Sequence, residues 1–565
     1  MSGIENDLPS RTRALEARPG PDWGRWALPL SLVALCGVLY LWRLGLTPLE
    51  DFDEAYYAVG AKEMLARGDL GTPFYNAQPF LLKPILIYWL IAGAFRLLGP
   101  GEFAARVGSA FLGAGLVLLT YWFGARTLSR RAGYFAGVAL ALNYMWVDIA
   151  RDASIDIPLT AALVPAMFLF FLAPHARPER RRWLYLAAYP LVGVALLAKG
   201  PVPTGVVGVG LLAYLIASRR VWSTLREAQV LPGLVLLLAV AAPWYIYELR
   251  AQPAFYQTFF IGEHFGHIGG KLARNEPVWG NLKYLLIYFL PWAAFLPAAV
   301  AHTLRERDRG GVLHFAAWWS LAVVVLFSIP KSKLAHYLAP AFPPLALLVG
   351  AWLDAWLAGR TRERASAAFA RLLLAVIGVG AAVAAGLVIA PPPFLQARLA
   401  TIPGRFDGWT PGPWPIVILA VIGIGFLAAA ICAGGRRAMV APALAGTMLA
   451  ASLMHVGWFR PHLALIQAQP RKELAQYAAS ALPPSMPFGV YYAKRNSTIF
   501  YFGRPLVDLG EWEPQRLADF LRQREPVAAL THEKLLRQLD SMGVTYAVQQ
   551  RRGAYVLLTN QSSAK

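Results

Sequence analysis

The sequence is poor in cysteine and poor in charge, and both shortages narrow its class before any motif is read. Its two cysteines, Cys36 and Cys432, each lie inside an apolar run. They supply no CxxC pair, no thiolate metal site and no disulfide framework. Only 15% of the 565 residues are charged, whereas 57% are hydrophobic. A soluble domain carries roughly 25% charged residues, so the composition points to a polytopic membrane protein. Nucleotide signatures are missing too: there is no Walker loop, no Rossmann glycine pattern and no His-x-x-x-His motif. A nucleotide-driven reaction therefore has no visible site.

The charge that remains is mostly positive, a formal +21. Its arginines cluster in short loops between apolar runs, as cytoplasmic loops do. No basic patch interleaved with aromatics occurs, so no nucleic-acid partner is expected. A span needs about 20 apolar residues. Runs at 27–46, 103–124, 132–150, 157–173, 183–198, 201–217, 230–249, 281–300, 312–329, 335–357, 366–390, 413–433 and 438–457 predict about thirteen transmembrane helices. Residues 1–26 form a basic tail, and the run after them lacks a cleavage site, so it reads as a retained anchor. A further run, Ile85 to Leu98, is only about 21 Å long as a helix. If it crossed, every later arginine cluster would face outward. It is therefore read as an interfacial helix in a long first outer loop, residues 47–102. The arginine clusters and the N-terminus then lie in the cytoplasm, and the C-terminus lies outside.

The transmembrane domain is predicted over 27–458, with a small soluble α/β domain over 459–565 on the outer (periplasmic) face. There, helix-like stretches at 471–480, 514–524 and 532–542 alternate with β-rich runs at 488–492, 498–502, 546–548 and 555–558.

This topology gathers the unusual polar residues at one membrane face. The first loop supplies Asp51, Asp53, Glu54, Lys62, Glu63 and Lys83. Arg151, Asp152 and Asp156 follow the third span, and Lys199 ends the fifth. Later loops add Glu263, His264, Lys271, Arg274, Lys331, Lys333, His336 and Tyr337. Ionisable groups at a membrane edge are functional by default. Lysines bind phosphate as point charges, and carboxylates act as bases or metal ligands. Simpler roles compete: Asp53 and Asp156 as helix caps, Lys83 and Lys199 as snorkelling cations, Glu263-His264 as a loop pair, and Tyr56 and Tyr57 as belt aromatics.

Seven short motifs in one order carry a family resemblance. They are Asp53-Glu54-Ala55-Tyr56-Tyr57-Ala58, Lys83-Pro84, Glu102-Phe103-Ala104-Ala105-Arg106, Asp156-Ile157-Pro158-Leu159-Thr160, Lys199-Gly200-Pro201, Glu263-His264 and the string from Ser332 to Pro340. Together they resemble the lipid-carrier-dependent membrane glycosyltransferases of the protein O-mannosyltransferase superfamily. The nearest likeness is to the bacterial branch that transfers aminoarabinose from undecaprenyl phosphate to lipid A. Phe500-Tyr501-Phe502-Gly503-Arg504 looks like part of the outer domain such proteins carry. One position departs: Leu82 stands before Lys83 where that branch usually has an acidic residue, and a leucine is no metal ligand.

The resemblance implies a GT-C fold in the bacterial inner membrane. It implies an inverting transfer from a polyprenyl-phosphate sugar to a glycolipid, polysaccharide or protein acceptor. In that reading Asp53 and Asp156 are catalytic. Lys83, Lys199, Lys333 and Tyr337 bind the donor phosphate, and Glu54, Tyr57, Arg151, Asp152 and Glu263 contact acceptor or sugar. No cofactor is certain, although Glu263, His264 and the first-loop acids could hold a divalent metal. The competing class is a polyprenyl-lipid flippase or secondary transporter, which would favour repeated halves and charges near the bilayer midplane.

Overall fold

The computed structural model describes residues 23–51, 53–265, 276–331, 333–361, 364–390 and 413–560. Helices dominate it. Each of the thirteen predicted runs falls on helical backbone, but they differ in their capacity to cross a bilayer. Among the described residues, seven helices are long and apolar enough: Glu102–Thr127, Asp156–His175, Val230–Ala251, Ala335–Leu357, Ala368–Ile389, Trp414–Gly435 and Arg437–Gln467. The predicted span at 281–300 is instead a pair, Gly280–Tyr288 and Trp292–Arg305, bent by 108°. The span predicted at 132–150 is broken as well. Arg130–Ala141 ends with Leu142 as its cap, and Asn143 then caps Tyr144–Ala150, its side-chain oxygen accepting from the Trp146 N–H at 2.8 Å. Trp26–Leu41, Val202–Ala217 and Val312–Ser328 are apolar but shorter. Leu86–Leu98 forms the short helix expected in the first loop.

Small residues let these helices approach closely. A Cβ on Gly133 would lie 2.4 Å from the Ala125 nitrogen, and one on Gly350 would lie 2.4 Å from the Ala132 carbonyl oxygen. These contacts join Glu102–Thr127, Arg130–Ala141 and Phe342–Leu357 backbone to backbone, as helices do where lipid offers no hydrophobic drive to associate. Larger rings fill the spaces between, with Trp146, Trp292, Trp319 and Trp352 fully buried.

Towards the C-terminus a five-stranded sheet forms. Its strands are β1 Phe488–Tyr491, β2 Val507–Gly510, β3 Ala528–His532, β4 Ala547–Arg552 and β5 Tyr555–Thr559, in spatial order β2-β1-β3-β5-β4. The first three strands run parallel, with helices Arg495–Phe502 and Pro514–Leu521 between them in sequence, and the β4-β5 hairpin joins antiparallel. Two sequence expectations are corrected and a third holds with its boundary moved by one residue. The run at 498–502, rich in β-formers, is the end of a helix. Its Thr498, Ile499, Phe500 and Phe502 are all buried, and Gly503 (φ 73°) donates its N–H to the Ile499 carbonyl to close it. The helix-like stretch expected at 532–542 is helical from Glu533 to Ser541, His532 itself ending strand β3. Strands β2 and β3 have no counterpart among the predicted β-rich runs.

The first loop is tied to the bundle by one buried ion pair. Helix Asp53–Arg67 opens at the predicted acidic motif. Glu54, in its first turn, receives both Arg106 Nε and Nη2 at 2.7 Å. The same guanidinium donates to the carbonyls of Leu44, Thr47 and Pro48. Glu54 and Arg106 are 4% and 1% exposed, so neither has water as an alternative partner. Burial alone would raise the Glu54 carboxyl, but Arg106 outweighs it and holds the group below its ordinary value of 4.5. Removing one partner of such a pair costs about 3–5 kcal/mol. Arg106→Leu should therefore lower the thermal unfolding midpoint of the detergent-purified protein strongly, and Glu54→Leu/Arg106→Leu should recover part of the loss. Because the folded carboxyl is depressed, its stabilisation is complete above the ordinary value and fades as pH falls through the lowered one. The wild-type midpoint should thus drop on acidification below about pH 4.5 by a component absent from the double variant.

Candidate active site

Asp156 opens helix Asp156–Leu172 and is wholly buried. Its Oδ1 accepts from Lys199 Nζ at 2.7 Å, and its Oδ2 lies 3.6 Å from His336 Nε2 with no hydrogen bond among the described residues. A buried carboxylate needs such cationic company. Lys199 is the last residue of helix Pro178–Lys199, where a cation suits the helix dipole. Gly200, at φ 70°, turns the chain directly after it. The Lys199 ammonium also sits 3.9 Å from the centroid of the Tyr337 ring. Residues 156, 199 and 337 thus meet although three separate helices carry them.

Lys199 and Tyr337 face Lys83 across a cavity of about 320 Å³. Glu263 lines it too and pairs with Lys83. The remaining wall is mostly apolar, with Val202, Phe259, Leu326, Phe327 and Ile329. Two ammonium groups and a phenol lining a largely apolar pocket fit an amphiphile with an anionic head. A larger cavity of about 510 Å³, lined by Ser129, His302, His314 and Asp354, holds none of the predicted site residues. Lys333 is not on the 320 Å³ wall. It is buried with its Nζ donating to the carbonyls of Pro330 (2.7 Å) and Glu276 (3.3 Å), which fixes the turn before Tyr337.

Asp53 begins its helix half-buried, and its carboxylate has no hydrogen-bond or ion-pair partner among the described residues. Nearby stand two buried phenols with unpartnered hydroxyls, Tyr57 and Tyr88, their rings edge to face with centroids 5.6 Å apart. Burial raises the Tyr57 hydroxyl far above its ordinary value, and the charges of Asp53 and Asp156 push the same way. Tyr57 is therefore a neutral phenol within electrostatic reach of both predicted carboxylates.

The other predicted contacts belong to a framework beside this space. Asp152 pairs with Arg460, which also reaches Glu50 at 3.0 Å and Asp148 at 3.6 Å. Burial pushes Asp152 up to about 6 against that pairing. Arg151 donates to the carbonyls of Leu39 and Trp42 at 2.8 and 3.0 Å, and burial lowers its guanidinium to about 10. Glu54 is engaged by Arg106 as described. Sequence reasoning assigns no role to Asp148, Arg460, His336 or Tyr88. His336 stands inside a family motif, whereas Arg460 carries only the weak signal of an arginine directly following an apolar run. The side chain of His264, and residues Lys271 and Arg274, lie outside the described residues. Among the described residues no three His, Cys, Asp or Glu side chains come together as a metal cradle, and Glu263 is taken by Lys83.

Residues 82–247 match the family model for dolichyl-phosphate-mannose-protein mannosyltransferases. An undecaprenyl phosphate-α-4-amino-4-deoxy-L-arabinose arabinosyl transferase from Erwinia tasmaniensis is 33% identical over 374 residues, covering 65% of this chain and 66% of its own length. The protein of that name from Aeromonas salmonicida is 31% identical over 58% of this chain and 59% of its own. The chain thus matches just under two thirds or less of the length of these relatives. Over whole folds, ArnT from Cupriavidus metallidurans, solved with undecaprenyl phosphate bound, superposes with a TM-score of 0.78 at 25% identity, covering 95% of this chain and 99% of that one. An oligosaccharyltransferase from Archaeoglobus fulgidus shares the fold more distantly, at a TM-score of 0.51 and 12% identity over 91% of this chain and 70% of its own. The family model, the relatives and the fold together support a lipid-carrier-dependent GT-C glycosyltransferase of the protein O-mannosyltransferase and aminoarabinose transferase superfamily.

Proposed function

We propose that this protein is an inverting glycosyltransferase that takes a sugar from a polyprenyl phosphate at the outer face of the bacterial inner membrane. One observation carries the reading: Lys83, Lys199 and Tyr337 converge on an apolar pocket beside Asp156, with the unpaired Asp53 close by. The polyprenyl chain lies along the apolar wall with its phosphate between the two ammonium groups. An acceptor oxygen attacks the anomeric carbon from the face opposite the phosphate. The new C–O bond forms as the bond to the phosphate oxygen breaks, and the electron pair leaves with the phosphate. Asp53 takes the proton of a hydroxyl acceptor, or positions an acceptor oxygen that is already ionised. Lys83 and Lys199 stabilise the charge that grows on the departing phosphate. Asp156 holds Lys199 in place, and Tyr57 donates a hydrogen bond to the sugar. The donor sugar is a pentose of the kind named in the relatives, and a glycolipid is the first acceptor to try.

The reading places all thirteen helical runs across the membrane, with the arginine clusters and N-terminus inside and the sheet domain outside. A cysteine tag at the C-terminus should then react with an impermeant maleimide in intact spheroplasts. Labelling only after lysis would overturn the topology.

Asp53→Asn should reduce release of polyprenyl phosphate by about 10²–10⁴-fold with expression intact. Lys83→Met should impair turnover more than thermal stability. Wild-type turnover in either variant would remove the role assigned to that residue. Donor binding without release by the wild type, across a panel of acceptors, would favour a flippase instead.

Glu263, His264 and the first-loop acids are the residues that would hold a divalent cation, whose charge would offset that of the phosphate. Turnover lost on chelation and restored by added divalent ion would support that site. Unchanged turnover would remove it.

A further inference from the structure

Helix Arg495–Phe502 of the sheet domain touches the first loop at Asp51, two residues before Asp53. The Ser497 N–H and hydroxyl both donate to Asp51 Oδ1, at 2.7 and 2.9 Å. Asn496 donates its side-chain amide to the Asp51 carbonyl and accepts from the Tyr75 hydroxyl. One turn further, the Leu49 N–H donates to the Tyr501 hydroxyl at 2.8 Å, and that hydroxyl donates to Glu102 at 3.0 Å. Lys62, on the Asp53 helix itself, donates to the Phe500 carbonyl at 2.8 Å. Asn496 and Ser497 are 5% and 4% exposed, so water does not replace these bonds.

Asp53 has no partner among the described residues, so its position is inherited from its flanks. On one side Glu54 is fixed by Arg106 within the bundle. On the other side Asp51 is fixed by a helix from a domain more than 400 residues away in sequence. We propose that Asn496 and Ser497 are positioning residues: by clamping Asp51, the sheet domain sets where the Asp53 carboxylate points. The domain is then a working part of the active site, not a cover over it. The inference rests on the transferase reading above.

Asp51→Leu removes the acceptor for both Ser497 donors, Asp51→Asn keeps an Oδ1 acceptor, and Ser497→Ala removes only the hydroxyl. Each is made in the full-length chain and assayed for release of polyprenyl phosphate from a polyprenyl-phosphate aminopentose with a glycolipid acceptor. Because misplacing a reacting group by about 1 Å can cost up to about 10²-fold, Asp51→Leu should lower kcat by roughly 10- to 100-fold. Ser497→Ala should lose less, and Asp51→Asn should restore most of the rate. Affinity for polyprenyl phosphate should stay within about twofold of wild type throughout, since Lys83, Lys199 and Tyr337 are untouched. In an Asp53→Asn background, Asp51→Leu should add less than about twofold further loss, because both changes act through one carboxylate.

An unchanged kcat in Asp51→Leu, a loss that multiplies with Asp53→Asn, or a parallel loss of donor affinity would each overturn the inference. If Asp51→Leu does not fold, Ser497→Ala takes its place in the same double-mutant cycle, and the same three results would overturn the inference. A wild type that turns over no donor would overturn the transferase reading and this inference with it. An active wild type with an indifferent clamp would overturn the inference alone.

Discussion

A single buried ion pair, Glu54 with Arg106, fixes where the rest of the site can be. The carboxylate begins the first-loop helix and the guanidinium sits near the start of the first long membrane helix. Neither is solvated, and the guanidinium spends its other donors on three backbone carbonyls of the segment that leads into the loop. Isolated charges so placed would be prohibitively costly. Paired with this geometry, they leave the loop one orientation on the bundle. Asp53, the neighbour of Glu54, is thereby delivered to the edge of the space around Tyr57 and Asp156 with no partner of its own among the described residues.

Elsewhere at the site, cations and carboxylates neutralise each other in pairs: Lys83 with Glu263, Lys199 with Asp156, Arg460 with Asp152. Such pairing lets ionised groups exist beside lipid. It also prepares the lysines for an anionic head, because their charge is held in place before the charge on a leaving group grows. Preorganised charge of this kind lowers a barrier without reorganisation during the step. Asp53 has no such partner among the described residues, and the proposed role as base needs that, since a carboxylate committed to an ion pair would be a poor base.

Much of this was legible in the chain because membrane constraints are strong. Asp53, Lys83, Asp156, Lys199 and Tyr337 stand out as polar residues at the ends of apolar runs. The arginine clusters sort them onto one face, and of these Lys83, Lys199 and Tyr337 line the cavity. What periodicity could not supply was pairing. Nothing in the spacing of 156 and 199 says that one ammonium bridges those two helices, or that Lys333 would turn to backbone carbonyls instead of the cavity. Arg460 was missed because a lone arginine after a hydrophobic run reads as a boundary, and only the fold brings three carboxylates to it. The segment at 498–502 misled for a different reason. Its residues favour strands intrinsically, but burial against the first loop, and a glycine at the helix end, outweigh that preference.

The most direct test of the central claim is a structure of the protein with polyprenyl phosphate bound. The account predicts phosphate oxygens within about 4 Å of both Lys83 and Lys199 nitrogens, the lipid chain along Val202, Leu326 and Ile329, and the Asp53 carboxylate free to face the anomeric position. A phosphate bound away from both lysines, or one contacted directly by Asp53, would contradict it.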